Sequence, residues 1–126
     1  MGQKFLIDTN VVIDVLGNTM PAHIHKNILR MPPIVSAVTY METLGWHRAT
    51  PSQIHILQTF MNSAIILPIN QPVMEKTVFI RQQIKIGLGD AIIAATGLVY
   101  DMTVVTRNVD DFKSISGLMI LNPWCE

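Results

Sequence analysis

A chain of 126 residues has the length of one domain, and its zero formal net charge at pH 7 excludes a strongly basic nucleic-acid binder. Hydrophobic residues make up 49% of the sequence and charged residues 14%, so a core can be buried and apolar surface should remain for a second copy or a dedicated partner. No apolar run reaches the roughly 18 residues of a membrane span, and the lone cysteine, Cys125, fits a reducing, cytoplasmic setting.

The first half of the chain is typical of strands that each lead into a helix. In chain order it predicts a strand at 4–7, a short helix from 11 that Gly17 closes, an amphipathic helix between Pro21 and Pro32, a strand at 34–35 and a helix at 37–45. A polar turn at 8–10 separates the first strand from the first helix. Ser36 is a good N-cap for the helix that follows the second strand.

The second half continues the alternation. It predicts a helix from Pro51 to about Asn62, a strand at 64–69, a helix from Pro72 to the glycines at 87 and 89, an apolar helix from Asp90, and strands at 103–105 and 118–121. A polar turn at 106–108 follows the fourth strand. Apolar strands separated by helices indicate a parallel sheet covered on both faces, so we expect residues 1–126 to form one α/β domain.

Four acidic residues lie where a parallel sheet can form a site, because such sites lie outside the carboxyl ends of the strands. Asp8 directly follows the first strand, Glu42 is on the helix after the second, and Asp111 is in the loop after the fourth. Asp90 opens a helix, so its place depends on helix packing. Each acid except Glu42 also has a simpler interpretation: Asp8 and Asp90 as helix N-caps, and Asp111 as an exposed loop acid.

Glu42 is the hardest of these acids to explain as an ordinary surface residue. It follows Val38 by one turn, beside the apolar stripe of its helix, and no Lys or Arg lies within one turn of it. A carboxylate there needs a partner or must take up a proton. A metal ion shared with the other acids would compensate the charge, and oxygen ligands without a Cys/His set favour Mg²⁺ or Mn²⁺ over Zn²⁺.

The acids lie in four short motifs: IDTNVVID at 7–14, SAVTYMETLG at 36–45, LGDAIIAATG at 88–97 and VTRNVDDF at 105–112. In order and spacing these motifs resemble those of the PIN-domain family, and they are most like the VapC-type toxin ribonucleases of bacterial toxin–antitoxin pairs. The resemblance runs from Lys4 to Trp124. It implies a mostly parallel five-stranded sheet, hydrolysis of RNA phosphodiester bonds by an endoribonuclease, and an acidic pocket that binds Mg²⁺ or Mn²⁺.

The resemblance also implies a role for each acid. Asp8 matches the first invariant Asp of the family, Glu42 the Glu and Asp90 the second Asp, so we expect all three to be catalytic residues and metal ligands. The fourth acidic position varies among family members. We expect Asp111 to be the fourth acid, while Asn108, at a position where some members carry Asp, lines the site as a neutral residue.

Polar and basic residues complete the expected site. The polar residues that match bracing positions of the family are Thr9, Asn10 and Thr106. The candidate RNA contacts are Arg81, Lys85 and Arg107, each with a solvated charge or an intramolecular ion pair as its alternative. If the four acids surround a metal, nine Lys and Arg residues against five remaining acids leave a net charge of +4 on the rest of the surface, which suits a modest phosphate-binding rim.

A toxin of this kind also implies a protein partner. The resemblance predicts a cognate antitoxin that masks the acidic pocket, with an Arg side chain inserted among the carboxylates. The surplus of apolar residues further favours a homodimer.

Three other interpretations compete with an RNA-cleaving toxin. A non-catalytic PIN-like protein-interaction domain is the main alternative, although acids at the three invariant positions argue against a decayed site. A DNA nuclease or flap nuclease would need helices or domains for which this length leaves no room. A receiver-type signalling domain would need an acidic pair after the first strand and a lysine after the last, and neither is present.

Overall fold

Short strands alternate with helices along the part of the chain described in a computed structural model, residues 4–17 and 19–124. The strands are β1 (Phe5–Ile7), β2 (Ile34–Ser36), β3 (Ile65–Leu67), β4 (Thr103–Val105) and β5 (Ile120–Leu121). The helices are α1 (Thr9–Leu16), α2 (Ala22–Leu29), α3 (Ala37–Leu44), α4 (Pro51–Ser63), α5 (Gln71–Gln83), α6 (Leu88–Val99) and α7 (Val109–Phe112). Cys125, on which the expectation of a reducing setting rests, lies outside the described residues.

The strands pair in parallel, which confirms the predicted α/β class. β4 pairs with β1 on one side and with β5 on the other, and β2 pairs with β3. β1 also lies beside β2, but no pairing among the described residues joins them. The expected single five-stranded sheet is therefore corrected to a three-stranded and a two-stranded sheet. Strands of three residues or fewer offer only a few ladder bonds, so a small separation is enough to leave two neighbours unpaired.

Helices cover both faces of the strands, as the sequence predicts. Successive strand residues point to opposite faces, so Leu6 and Val104 join one core with residues of α5 and α6. Ile7 and Val105 join a second core with residues of α1, α2 and α4. Within the described ranges, no helix is both long and apolar enough to cross a membrane.

Helix α6 is the most buried helix of the described structure, and every side chain from Ala91 to Gly97 is buried. Gly97 allows it to lie against β4. A Cβ at Gly97 would be 3.0 Å from Val104 Cγ2, 3.1 Å from Leu118 Cδ1 and 3.3 Å from the Met102 carbonyl oxygen. This close approach holds the first turn of α6 beside the carboxyl ends of the central strands.

Candidate active site

Asp8 lies where β1 ends, and both of its carboxylate oxygens accept hydrogen bonds. Its backbone N–H donates to the Val105 carbonyl at 3.0 Å, which extends the pairing of β1 with β4 by one residue. Oδ1 accepts from the Thr9 backbone N–H at 2.8 Å and Oδ2 from the Thr106 hydroxyl at 2.8 Å. Asp8 is thus the N-cap of α1, as its simpler interpretation predicts, and the carboxylate is also held rigidly at the end of two neighbouring strands.

The environment of Asp8 disfavours its charged form. Only 2% of the residue is exposed. The pKa of Asp8 is raised from 3.8 to about 6. Burial is the largest cause, the negative charges of Asp90 and Glu42 add to the rise, and the hydrogen bonds from Thr106 and Thr9 act against it. A buried carboxylate with other carboxylates as its charged neighbours is a group that a bound cation would stabilise.

Glu42 is exposed, although its place beside the apolar stripe of α3 made it the acid hardest to explain as an ordinary surface residue. The buried face of α3 includes threonines as well as apolar residues, since Thr39 and Thr43 are fully buried. Glu42 nevertheless has a defined partner, because the Thr9 hydroxyl donates to Oε1 at 2.7 Å. The Thr9 and Thr39 hydroxyl oxygens are 2.9 Å apart. Since Thr9 has one hydroxyl hydrogen, Thr39 donates to Thr9 in this chain of hydrogen bonds.

Asp90 lies in the first turn of α6 and is not an N-cap. The helix begins earlier than predicted, at Leu88 with Gly87 as its N-cap, because the backbone at 88–89 is already helical. Asp90 is half-buried, and burial raises the pKa of its carboxyl, as do the negative charges of Asp111 and Glu42. Its carboxylate therefore faces the same region as the other acids, which agrees with the expectation that helix packing decides its place.

Asp111 lies in the short helix α7, whereas the sequence analysis expected a loop. It is exposed, and its charge acts on Asp90. Its neighbour Asp110 points away to an ion pair with Lys113 at 2.9 Å. The exposed Asn108 precedes α7, and its backbone N–H donates to the Thr106 hydroxyl at 3.0 Å. The structure thus brings Asp111 toward the acids and links Asn108 to the residue that holds Asp8.

Of the other expected residues, two contact the acids through their side chains. Thr9 and Thr106 donate their hydroxyl hydrogens to Glu42 and Asp8, respectively. Asn10 is exposed on the first turn of α1, next to Thr9. The sequence analysis missed Thr39, although its position three residues before Glu42 on one helix puts the two on the same face.

The three candidate RNA contacts are all exposed. Arg107 adjoins the site residue Thr106 and is engaged within the chain: its Nη1 lies 3.4 Å from Asp14 Oδ2 and its guanidinium carbon 4.8 Å from the centre of the Trp124 ring. Arg81 Nε donates to the Ile86 carbonyl at 3.4 Å. Lys85 lies between α5 and α6. For Arg107 the alternative of an intramolecular ion pair is thus the arrangement observed.

The donor set of the site fits a hard divalent cation. Carboxylate oxygens are the ligands that Mg²⁺ and Mn²⁺ prefer, and the charges that raise the pKa values of Asp8 and Asp90 belong to carboxylates. Among the residues described, however, no three His, Cys, Asp or Glu side chains are close enough to form a complete ligand cluster. An ion that keeps several water ligands and touches one or two carboxylates directly, as Mg²⁺ usually does, needs no such cluster.

Comparisons with known proteins agree with this fold. The chain is similar to a chain of a toxin–antitoxin complex from Klebsiella pneumoniae, at 31% identity and a TM-score of 0.78, covering 95% of this chain and 98% of that one. It is also similar to a chain of DNA-bound VapBC from Salmonella typhimurium, at 25% identity and a TM-score of 0.83, covering 97% and 99%.

A shorter likeness links the chain to ribonuclease VapC1 of Rickettsia felis, at 46% identity over 41 residues. That match spans 32% of this chain and only 31% of the relative's length. The sequence model of the PIN domain, in contrast, matches residues 5–118, which include all four acids. The chain therefore belongs to the PIN domain family.

Proposed function

We propose that this protein is a metal-dependent endoribonuclease that hydrolyses RNA phosphodiester bonds and acts as the toxin of a type II toxin–antitoxin pair. The observation that supports the proposal is an electrostatic one between acids from distant parts of the sequence: the charges of Asp90 and Glu42 act on Asp8, and those of Asp111 and Glu42 act on Asp90. A purely structural role would not require several acids whose negative charges raise the pKa values of Asp8 and Asp90.

In this proposal the four acids hold a divalent cation, Mg²⁺ or Mn²⁺. Asp8 is fixed by two hydrogen bonds and Asp90 by the buried helix α6, so these two make the direct contacts. Glu42 and Asp111 are exposed, and they complete the site or orient the attacking water. When bound, such a cation lowers the pKa of water and offsets the charge that develops at the scissile phosphate.

The hydrogen-bonding residues keep these carboxylates in place. Thr106 and the Thr9 backbone hold the two oxygens of Asp8, and the Thr9 hydroxyl holds one oxygen of Glu42. Each donor holds a carboxylate oxygen in place, and at Asp8 the hydrogen bonds also lower the pKa against the effect of burial. Thr9 serves both acids, and it therefore sets the position of Glu42 relative to Asp8.

RNA is the substrate class we propose, because the chain is 46% identical over 41 residues to a protein named as a ribonuclease and itself belongs to the PIN domain family. Arg81, Lys85 and Arg107 are exposed cations that would meet its phosphates. The non-catalytic protein-interaction domain stays the alternative, and it predicts no cleavage under any metal condition.

A cognate antitoxin and a homodimer are the proposed protein partners. Similar solved structures are named as toxin–antitoxin complexes, which supports the first. Large apolar side chains also remain more than half exposed, as expected for a surface that a partner covers. Examples are Leu29, Val78, Phe79 and Met119. An antitoxin Arg inserted among the four carboxylates would replace the cation and keep the nuclease inactive.

The test is cleavage of a mixed RNA substrate by Asp8→Asn and by the wild-type protein, with Mg²⁺ or Mn²⁺ and with EDTA. Asn keeps the N-capping oxygen but loses the charge, so the fold should persist while cleavage falls about a thousandfold or more, as for other removed groups on which a site depends. Asp101→Asn is the matched control. Asp101 is exposed at the opposite end of β4 and has φ of 55°, which Asn tolerates, so cleavage should be unchanged. Wild-type cleavage that persists in EDTA, or an active Asp8→Asn variant, contradicts the proposal.

A further inference from the structure

The Glu42 carboxylate lies against a residue that has no side chain. Glu42 is on α3, and its Oε2 faces the backbone of Gly89 in the first turn of α6. A Cβ at Gly89 would be 2.5 Å from Glu42 Oε2, closer than nonbonded atoms approach, and 3.3 Å from its Cδ, which is a tight contact. The present position of Glu42 is therefore possible only because residue 89 is glycine.

We infer that Gly89 is a positioning residue of the site: its missing side chain makes the room in which the Glu42 carboxylate lies beside Asp90. The inference rests on the proposed metal-dependent function. It adds to the four acids a residue that has no functional group and contributes by leaving room for the Glu42 carboxylate.

The backbone does not explain the glycine. Gly89 lies in a helix, and among the described glycines only Gly117 has a positive φ, so no left-handed conformation requires glycine at 89. In a helix, alanine needs no glycine-specific conformation and is in general the better helix former. The contact with Glu42 is therefore the observation that accounts for a glycine at 89.

Glu42 cannot simply move away from an added methyl group without losing its partner. Its Oε1 accepts the Thr9 hydroxyl at 2.7 Å, and Thr9 is linked in turn to the buried Thr39 at 2.9 Å. Displacement of Oε2 from Gly89 would rotate the carboxylate and stretch or break the bond to Thr9. A methyl group at residue 89 should therefore disturb the ligand geometry while leaving the helix intact.

The experiment measures Mn²⁺ affinity by calorimetry and thermal unfolding without metal, on the full chain. Gly89→Ala should weaken Mn²⁺ binding about tenfold, the scale of losses seen when groups that orient metal ligands are changed. Its unfolding temperature in EDTA should equal or exceed that of the wild type, because alanine is the better helix former. A role that was merely structural would instead lower the unfolding temperature and leave the affinity unchanged.

Gly87→Ala is the matched control, since the Cβ it adds at the start of the same helix meets nothing within 4 Å. It should bind Mn²⁺ like the wild type. In a Glu42→Ala background, Gly89→Ala should cause no further loss, because the residue through which it acts is gone.

Three outcomes would overturn the inference. Unchanged Mn²⁺ affinity in Gly89→Ala removes the positioning role but leaves the proposed function standing. An equal loss with and without Glu42 shows that the methyl group acts elsewhere. A wild-type protein that binds no Mn²⁺ contradicts the proposed function and this inference together.

Discussion

At the scale of single residues, the four acids differ in how firmly the protein holds them. Asp8 is buried with both oxygens hydrogen-bonded, and Asp90 is half-buried on a buried helix. Glu42 and Asp111 are exposed, so water screens their charges more strongly. This difference in burial suits the proposed site, in which Asp8 and Asp90 would fix the cation. The exposed acids, Glu42 and Asp111, would adapt to the substrate. It also makes the exposed acids the ones that can be altered with the least effect on folding.

Asp111 and its neighbour Asp110 offer a direct comparison at this scale. Asp111 acts electrostatically on Asp90, whereas Asp110 pairs with Lys113 at 2.9 Å. We expect Asp111→Asn to reduce RNA cleavage about ten- to a hundredfold, because it removes a charge that supports the metal site. Asp110→Asn should leave cleavage unchanged, and both variants should unfold at the wild-type temperature since surface ion pairs contribute little. Equal effects of the two substitutions on cleavage rates would argue that Asp111 is an ordinary surface acid.

At the scale of secondary-structure elements, the site results from strands that end at the same level and helices that begin there. The register of β1 with β4 aligns Ile7 with Val105, so the next residues, Asp8 and Thr106, are neighbours and form their hydrogen bond. Helix α6 adds Asp90 from its first turn. The position of α6 depends on close packing against β4. Gly97 permits this packing because it has no side chain.

Substitution of Gly97 tests that packing. The Cβ of Gly97→Ala would lie 3.0–3.3 Å from Val104, Leu118 and the Met102 carbonyl, and a carbonyl in the main chain cannot readily give way. Overpacking of this kind typically costs about 1–3 kcal/mol, which exceeds the gain of about 1 kcal/mol or less from helix propensity. We expect a net loss of unfolding free energy, measured by urea denaturation. Stability at or above the wild-type value would show that α6 can move away from β4.

Substitutions at two glycines of α6 are thus expected to change two different quantities, the stability of the protein and its metal affinity. Gly97→Ala should lower stability, whereas Gly89→Ala should lower metal affinity without lowering stability. The difference follows from the neighbours of each Cβ: packed core atoms and a backbone carbonyl at Gly97, and the end of one side chain at Gly89.

At the scale of the whole molecule, the raised pKa values of Asp8 and Asp90 make folding stability depend on pH. The folded pKa of Asp8, about 6, is above its ordinary value of 3.8, so the folded chain binds this proton more tightly than the unfolded chain does. The contribution of Asp8 to the unfolding free energy is therefore fully present below its ordinary pKa of 3.8. It is lost as pH rises from there to about 6. Asp90 acts in the same direction, since its pKa is also raised.

In EDTA, we expect Asp8 to reduce the unfolding free energy by on the order of 3 kcal/mol between about pH 4 and pH 6. Urea denaturation across this range measures the effect, and Asp8→Asn should remove that decrease. Excess Mn²⁺ near neutral pH should raise the unfolding temperature of the wild type more than that of Asp8→Asn, because the ion binds the folded state. A pH profile that Asp8→Asn does not alter would mean that the buried carboxyl is not the titrating group.

Much of the fold and the choice of acids followed from local patterns. Apolar runs that end in polar residues mark the five strands, and the periodic segments between them mark the helices, within a few residues of the observed bounds. Parallel strands bring their carboxyl ends together whatever the detailed packing. Asp8 and Thr106 could therefore be assigned to one region although 98 positions separate them.

The sequence by itself determined the parallel α/β arrangement, because this depends on residue order and on the polarity of strand ends, whereas the choice of the four acids stays a prediction. Only the tertiary structure decided that β1 and β2 lie side by side without pairing, that Glu42 is exposed yet held by Thr9, and that Asp90 is in the first turn of α6. It also decided that Gly89 makes room for Glu42. These features depend on separations of a few tenths of an ångström to a few ångströms between elements distant in sequence, and no local pattern of residues encodes such separations.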